Sequence, residues 1–233
     1  MSLVIARRLS TSLSSVANAY SSMVSVHPVK TKSLTCGILG VTGDFFAQKY
    51  ENPLGDYDFN RALSIFLVGS LFSGPVLHGW YNVLERLPGT FFSTKRLESL
   101  KPWQLLGTKL FLDQIVFGSV FLGGYFMVYG VTLGAVNHYS PYVPRTPEAL
   151  AKAPPSGIPT FDIYEALDQT YAHTCNVFLP TFVADCLFWP PIQALNFTKV
   201  PLRYRVLVIN LSSMVFGILL SYMANAKPSS EME

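Results

Sequence analysis

Residues 114–144 read QIVFGSVFLGGYFMVYGVTLGAVNHYSPYVP, thirty-one consecutive positions without an Asp, Glu, Lys or Arg. About 20 apolar residues wound as an α-helix cross the ~30 Å hydrocarbon core of a bilayer. This stretch alone is therefore long enough to span a membrane. Residues 62–84 and 206–226 are likewise free of charged side chains. Over all 233 residues, 50% are hydrophobic and only 13% are charged, and the mean hydropathy is +0.33. Soluble domains carry about 25% charged residues. A soluble enzyme, a nucleic-acid-binding domain and a disordered chain all fit these numbers badly. The fold class they point to is all-α, a polytopic transmembrane helical bundle.

Five apolar segments extend outward from that run, at roughly 33–48, 62–84, 106–134, 171–196 and 204–224. The first is short and carries Gly37, Gly40 and Gly43; the fourth is interrupted by Pro180 and by Pro190-Pro191. Five segments, with Lys109 counted in the loop before its helix, divide the Lys and Arg residues twelve to five between the two sides, whereas four divide them eight to nine. The positive-inside tendency favours five over four spans, with the N-terminus on the positive side. Small residues recur at a spacing of four in Gly69/Ser73, Gly130/Gly134 and Ser213/Gly217/Ser221, a pattern that lets membrane helices approach closely. Trp80, Tyr81, Trp103, Trp189 and Tyr222 fall near segment ends, where interfacial anchors are expected.

The chain divides into an N-terminal arm, residues 1–32, a helical bundle, residues 33–226, and a polar tail, residues 227–233. No acid precedes Asp44, while Arg7, Arg8, Lys30 and Lys32 do; Leu9, Leu13, Val16 and Tyr20 form one apolar stripe among serines. An amphipathic, Arg- and Ser-rich, acid-free start is the mitochondrial presequence pattern. The positive side would then be the matrix face of the inner membrane. Residues 137–170 hold six prolines, and Asp162, Glu165 and Asp168 lie near their end, so an extended, acidic-ended loop is expected there. Cys36, Cys175 and Cys186 form no C-x-x-C pair, and the histidines have no ligand-spaced partners. Neither a metal nor a cofactor is expected. Without a Ser/His/Asp set or a Gly-rich phosphate loop, catalysis is not expected either, and no Lys/Arg stripe suits a nucleic acid.

Acids within apolar segments are costly, about 2.5–3.5 kcal/mol each on insertion scales, so Asp44, Asp113 and Asp185 are expected to face partners or water. Asp44/Gln48 and Lys109/Asp113 are four apart and Gln193/Asn196 three apart, so each pair shares a helix face, with Lys109 as the expected cation for Asp113. Turned inward, Asp44, Gln48, His78, Lys109, Asp113, Gln114, Asp185, Gln193 and Asn196 are the candidates to line a polar axis. Arg203 and Arg205 are expected at the mouth on the positive side.

Trp189, Pro190, Gln193, Asn196, Phe197, Val200, Pro201 and Arg205 spell W-P-x-x-Q-x-x-N-F-x-x-V-P-x-x-x-R. This resembles the signature of the Mpv-seventeen and peroxisomal-membrane-protein family of small organellar membrane proteins, most specifically over residues 185–221. Gly43-Asp44 with Ala47-Gln48, then Asp58, Arg61, Gly69, Gly74-Pro75, His78 and Trp80-Tyr81, then Lys109 and Asp113-Gln114 are similar to its earlier segments, in order. Cys186, Phe216 and Ser119 depart from the family's usual residues, and the Pro-rich loop resembles an insertion. The resemblance implies a membrane protein forming or modulating a weakly selective pore for ions or small metabolites in the mitochondrial inner membrane. The alternatives it leaves are a non-conducting scaffold and a peroxisomal location. The expected partners are the lipid bilayer, a small ion or metabolite as permeant, and a second copy of the chain.

Overall fold

In the computed structural model, which describes residues 15, 17–51, 53–91, 100–140 and 161–225, the chain is helical between short turns. Five long helices follow one another: α1, Pro28–Glu51; α2, residues 59–91; α3, Pro102–Tyr139; α4, Ile163–Lys199; and α5, Arg205–Asn225. Helical residues 17–26 precede α1. The Pro-rich stretch 141–160, the first fourteen residues and the polar tail lie outside the described residues.

Local chemistry sets the helix ends. The Asp58 carboxylate accepts from the Arg61 N–H at 2.9 Å and caps α2. Asp162 accepts from the N–H groups of Tyr164 and Glu165, at 2.8 and 3.2 Å, and caps α4. These caps satisfy first-turn donors that have no partner within the helix. Asp162, Glu165 and Asp168, expected at the end of a loop, thus belong to a helix start, where acids complement the dipole. At the other end of α4, Val200 is extended before Pro201, as the residue ahead of a proline tends to be, and a single 3₁₀ turn, Leu202–Tyr204, reverses the chain into α5.

Pro180, Pro190 and Pro191 do not interrupt α4, contrary to the sequence expectation; the helix runs unbroken through all three. Proline removes one internal hydrogen bond and crowds the preceding turn, but in a bundle neighbouring helices can hold the axis. Two other helices carry π-turns, Gly69–Ser73 in α2 and Leu112–Phe117 in α3. Each rotates everything downstream relative to an ideal helix.

Consecutive helices pack side by side, and α5 returns against α1 and more lightly against α4, which closes a ring. The order α5–α1–α2–α3–α4 puts the α1 start, the α2/α3 connection and the α4/α5 turn at one end. That end is called the N-terminal end below. Burial is inverted relative to a soluble protein. Leu71, Val120 and Leu187 are at least 74% exposed, while Asn196 and Ser64 are 0% exposed. An apolar exterior is what lipid demands, and it frees the interior to mix polar groups with apolar ones such as Leu84 and Val206, also 0% exposed. Among the described residues, three helices are long and apolar enough to cross a membrane: Phe59–Arg86, Pro102–Tyr139 and Ile163–Lys199.

Small residues allow close approach at two of the spaced positions, Gly69 and Gly130. A Cβ on Gly69 would stand 2.9 Å from Cα of Gly37 in α1, and a Cβ on Gly130 would strike the Thr170 side chain. Gly217 has nothing near it; it faces a cavity rather than a helix. Gly69→Val should therefore wedge α1 from α2 and destabilise the protein by about 1–3 kcal/mol, read from thermal unfolding in detergent. Gly217→Ala, by contrast, meets nothing and should not lower the midpoint but raise it slightly, because Ala favours a helix over Gly.

Candidate functional site

The ring encloses a cavity of about 620 Å³ to which all five helices contribute. Its charged lining residues are Asp44, Glu51, Arg61, Asp113 and Asp185. Most of the remaining wall is apolar and aromatic, including Phe117, Phe121, Tyr125, Trp189 and Phe216.

At the end away from the N-terminus, α1 and α2 meet through an ion pair. Arg61 Nε lies 2.6 Å from Asp44 Oδ1, and Arg61 Nη1 lies 2.6 Å from Glu51 Oε2. Asp44 is the buried partner, its side chain 2% exposed against 31% for Arg61. Gln48 Nε2 donates to Asp44 Oδ2 at 2.7 Å, and Gln48 Oε1 accepts from the Asp58 N–H at 2.7 Å. The glutamine thus pins the α1/α2 connection and is not itself on the cavity wall. Asn60 and Asn137 clasp α2 to α3 at 3.0 Å, and Ser140 Oγ donates to Asn60 at 2.7 Å.

Deeper in, Asp113 sits inside the α3 π-turn and is buried. Trp80 Nε1 donates to its Oδ1 at 2.7 Å and Gln193 Nε2 to its Oδ2 at 2.6 Å. Gln193 also donates to the Tyr81 hydroxyl at 3.0 Å and accepts from Asn196 at 3.1 Å. One side-chain network therefore ties α2, α3 and α4 together. The Trp80 indole lies flat on Phe117, ring centroids 4.4 Å apart. On α4, Trp189 Nε1 donates to Asp185 at 3.2 Å, and the same ring packs on Phe216 of α5. Trp80, Tyr81 and Trp189 are accordingly parts of the interior network rather than interfacial anchors; Trp103, 66% exposed at the start of α3, fits that role.

Toward the N-terminal end the sequence expectation needs correcting. Lys109 does not pair with Asp113 but reaches Glu85 of α2 at 2.9 Å. Asp113 lies inside the π-turn with its carboxylate held by Trp80 and Gln193, while Glu85 of α2 takes the Lys109 ammonium. Arg205 also binds Glu85, at 2.7 Å, and donates to the carbonyls of Val200 and Phe197 at 3.3 and 3.4 Å. Arg205 is buried and braces the α4/α5 turn, so it does not stand at an open mouth; Arg203 lies over the Tyr204 ring. His78 sits between Lys32 Nζ, 3.2 Å away, and Asn82, off the cavity wall. Asn196 is fully buried behind Gln193 and is not on the wall either.

Of the nine candidate lining residues, Asp44, Asp113, Gln114, Asp185 and Gln193 border the cavity, whereas Gln48, His78, Lys109 and Asn196 do not. Glu51, Arg61 and the aromatic wall were missing from the candidates. Arg61 and Glu51 flank the α1/α2 connection, where a charge looks like an ordinary loop residue. The aromatics look like lipid-facing residues until the helices are placed.

The sequence is similar to several known proteins. Residues 164–221, which carry Asp185, Trp189, Gln193 and Asn196, match the Mpv17 / PMP22 family. The chain is 29% identical to the human mitochondrial inner membrane protein Mpv17 over 89% of this chain and 96% of that protein. It is 26% identical to Protein SYM1 of Debaryomyces hansenii over 92% of this chain and 91% of that one. It is also 28% identical to PXMP2/4 family protein 2 of Dictyostelium discoideum, over 88% and 89%. No solved structure gives a significant match.

Proposed function

We propose that the chain is a member of the Mpv17 / PMP22 family in the mitochondrial inner membrane and that it forms or modulates a weakly selective pore for ions or small metabolites there. It acts without catalysis. In this reading α1 and α5 are embedded with the other three helices, giving five spans. The uncharged run 206–226 and the packing of α1 between α2 and α5 support that count.

The observation that carries the reading is the cavity on the bundle axis, with carboxylates at two depths and contributions from every helix. Charged groups that cost several kcal/mol at membrane depth are placed where water and solutes would meet them. Rings of acidic side chains in such a path favour cations over anions.

The test is planar-bilayer current from the purified full chain, wild type beside Asp113→Asn. Discrete openings are expected from the wild type, and a lower cation-to-anion permeability ratio from the variant. Silence from protein shown to be folded would exclude conduction. The second reading, a non-conducting scaffold, draws on the Trp80–Asp113–Gln193 network. Such bonds also glue helices together, and a scaffold carrying Asp113→Asn would lose stability alone.

A further inference from the structure

We propose that the cavity is a binding site for an organic cation, a positively charged ammonium carried on an apolar body. Asp113 and Asp185 both line the cavity, from the adjacent helices α3 and α4. Gln114 Nε2 donates to Cys186 Sγ at 3.7 Å, so the residues next to the two carboxylates touch and the carboxylates stand at one level. Among the described residues neither acid has a cation within ion-pairing distance. Lys109 is taken by Glu85, and Arg61 is shared between Asp44 and Glu51. Asp185 is nine-tenths buried and spends one oxygen on Trp189, while its other oxygen has no partner among the described residues.

Two buried carboxylates without a counter-charge leave the centre of the bundle electrostatically unfinished, and a cation in the cavity completes it. The rest of the wall selects the kind of cation. A hydrated inorganic ion wants oxygen ligands at most of its positions, whereas this wall presents Phe117, Phe121, Tyr125, Trp189 and Phe216. Aromatic faces attract a weakly hydrated organic cation through their quadrupoles and shed water from its apolar groups. The volume, about 620 Å³, lies in the range of small-molecule sites.

The proposal deepens the pore reading, since it names an occupant for the same cavity, but binding needs no conduction, so either can fail alone. The experiment titrates the detergent-solubilised full chain with tetraethylammonium chloride, against potassium chloride at equal ionic strength. The readouts are tryptophan fluorescence, to which Trp189 and Trp80 report from beside the two carboxylates, and the thermal midpoint. A saturable change with tetraethylammonium and none with potassium is expected, weakened about tenfold or more by Asp185→Asn. If Asp185→Asn does not fold, Phe121→Leu, which keeps an apolar wall and removes a ring, should weaken binding severalfold. No saturable response from folded wild type, an equal response to potassium, or an affinity untouched by the folded variants would overturn the proposal.

Discussion

Arg61→Gln lowers the stability of the detergent-solubilised protein by about 3 kcal/mol, and adding Asp44→Asn to the same chain restores most of that loss. The asymmetry of the pair dictates the result. Asp44 is the desolvated member, with 2% of its side chain exposed, and Arg61 Nε, at 2.6 Å, is its cation. Taking the guanidinium away leaves a buried carboxylate with only Gln48 to hold it. Breaking a buried pair from one side costs about 3–5 kcal/mol. The lower end applies because Arg61 is nearly one-third exposed. The Glu51 contact adds little, since its carboxylate faces solvent at 30% exposure and exposed pairs contribute about 0–1 kcal/mol. Asp44→Asn removes the orphaned charge, which is why the double variant recovers. Arg61→Lys should fall between, because an ammonium keeps the charge without the planar fork that serves both acids. A chemical unfolding series on wild type, Arg61→Gln, Asp44→Asn and the double variant gives the coupling directly. An unaffected Arg61→Gln, or a double variant no better than the single, would show that the pair does not hold α1 to α2.

The helical bundle was legible because its main signal is one-dimensional. Long runs without charge can satisfy a lipid environment only as helices, and the charge balance favoured a further segment at α1, whose own composition says little and which is a helix packed between α2 and α5. The network partners were not legible. Lys109 and Asp113 are four apart, which makes them neighbours on one helix face; Glu85 of α2 nevertheless takes the lysine, and Trp80 with Gln193 takes the carboxylate, and no periodicity announces partners on other helices. Trp80 and Tyr81 illustrate the same limit. A tryptophan near the end of an apolar segment is an interfacial anchor by default, and only the position of α3 turns its N–H toward Asp113. The W-P-x-x-Q-x-x-N spacing, by contrast, put Gln193 and Asn196 on one face, and they are bonded at 3.1 Å. The sequence could not say that the second stands behind the first.

That arrangement makes Gln193→Leu the second large effect, a loss of about 4 kcal/mol of stability. Leucine matches the glutamine in size, so packing is nearly conserved and the cost is polar. Three buried groups lose their partner at once: Asp113 Oδ2, bonded at 2.6 Å, the Tyr81 hydroxyl at 3.0 Å and the Asn196 amide at 3.1 Å. Each buried group left unsatisfied costs about 1–3 kcal/mol, and water in the adjoining cavity offsets part of this for Asp113 and Tyr81, which border it, but not for Asn196. Asn196 is 0% exposed and its Oδ1 already lacks a partner, so with Gln193 gone its side chain has none at either end. Asn196→Leu added to Gln193→Leu should therefore cost less than the sum of the two single variants, by about 1 kcal/mol. Strict additivity would mean that the residues do not act as one network. A full set of thermal midpoints at matched detergent and salt decides it. Bilayer currents from Gln193→Leu below its midpoint then separate two roles for the glutamine. If it only clamps helices, selectivity is unchanged in the protein that remains folded. If it also holds the Asp113 carboxylate in place on the wall, selectivity shifts although no charge has been altered.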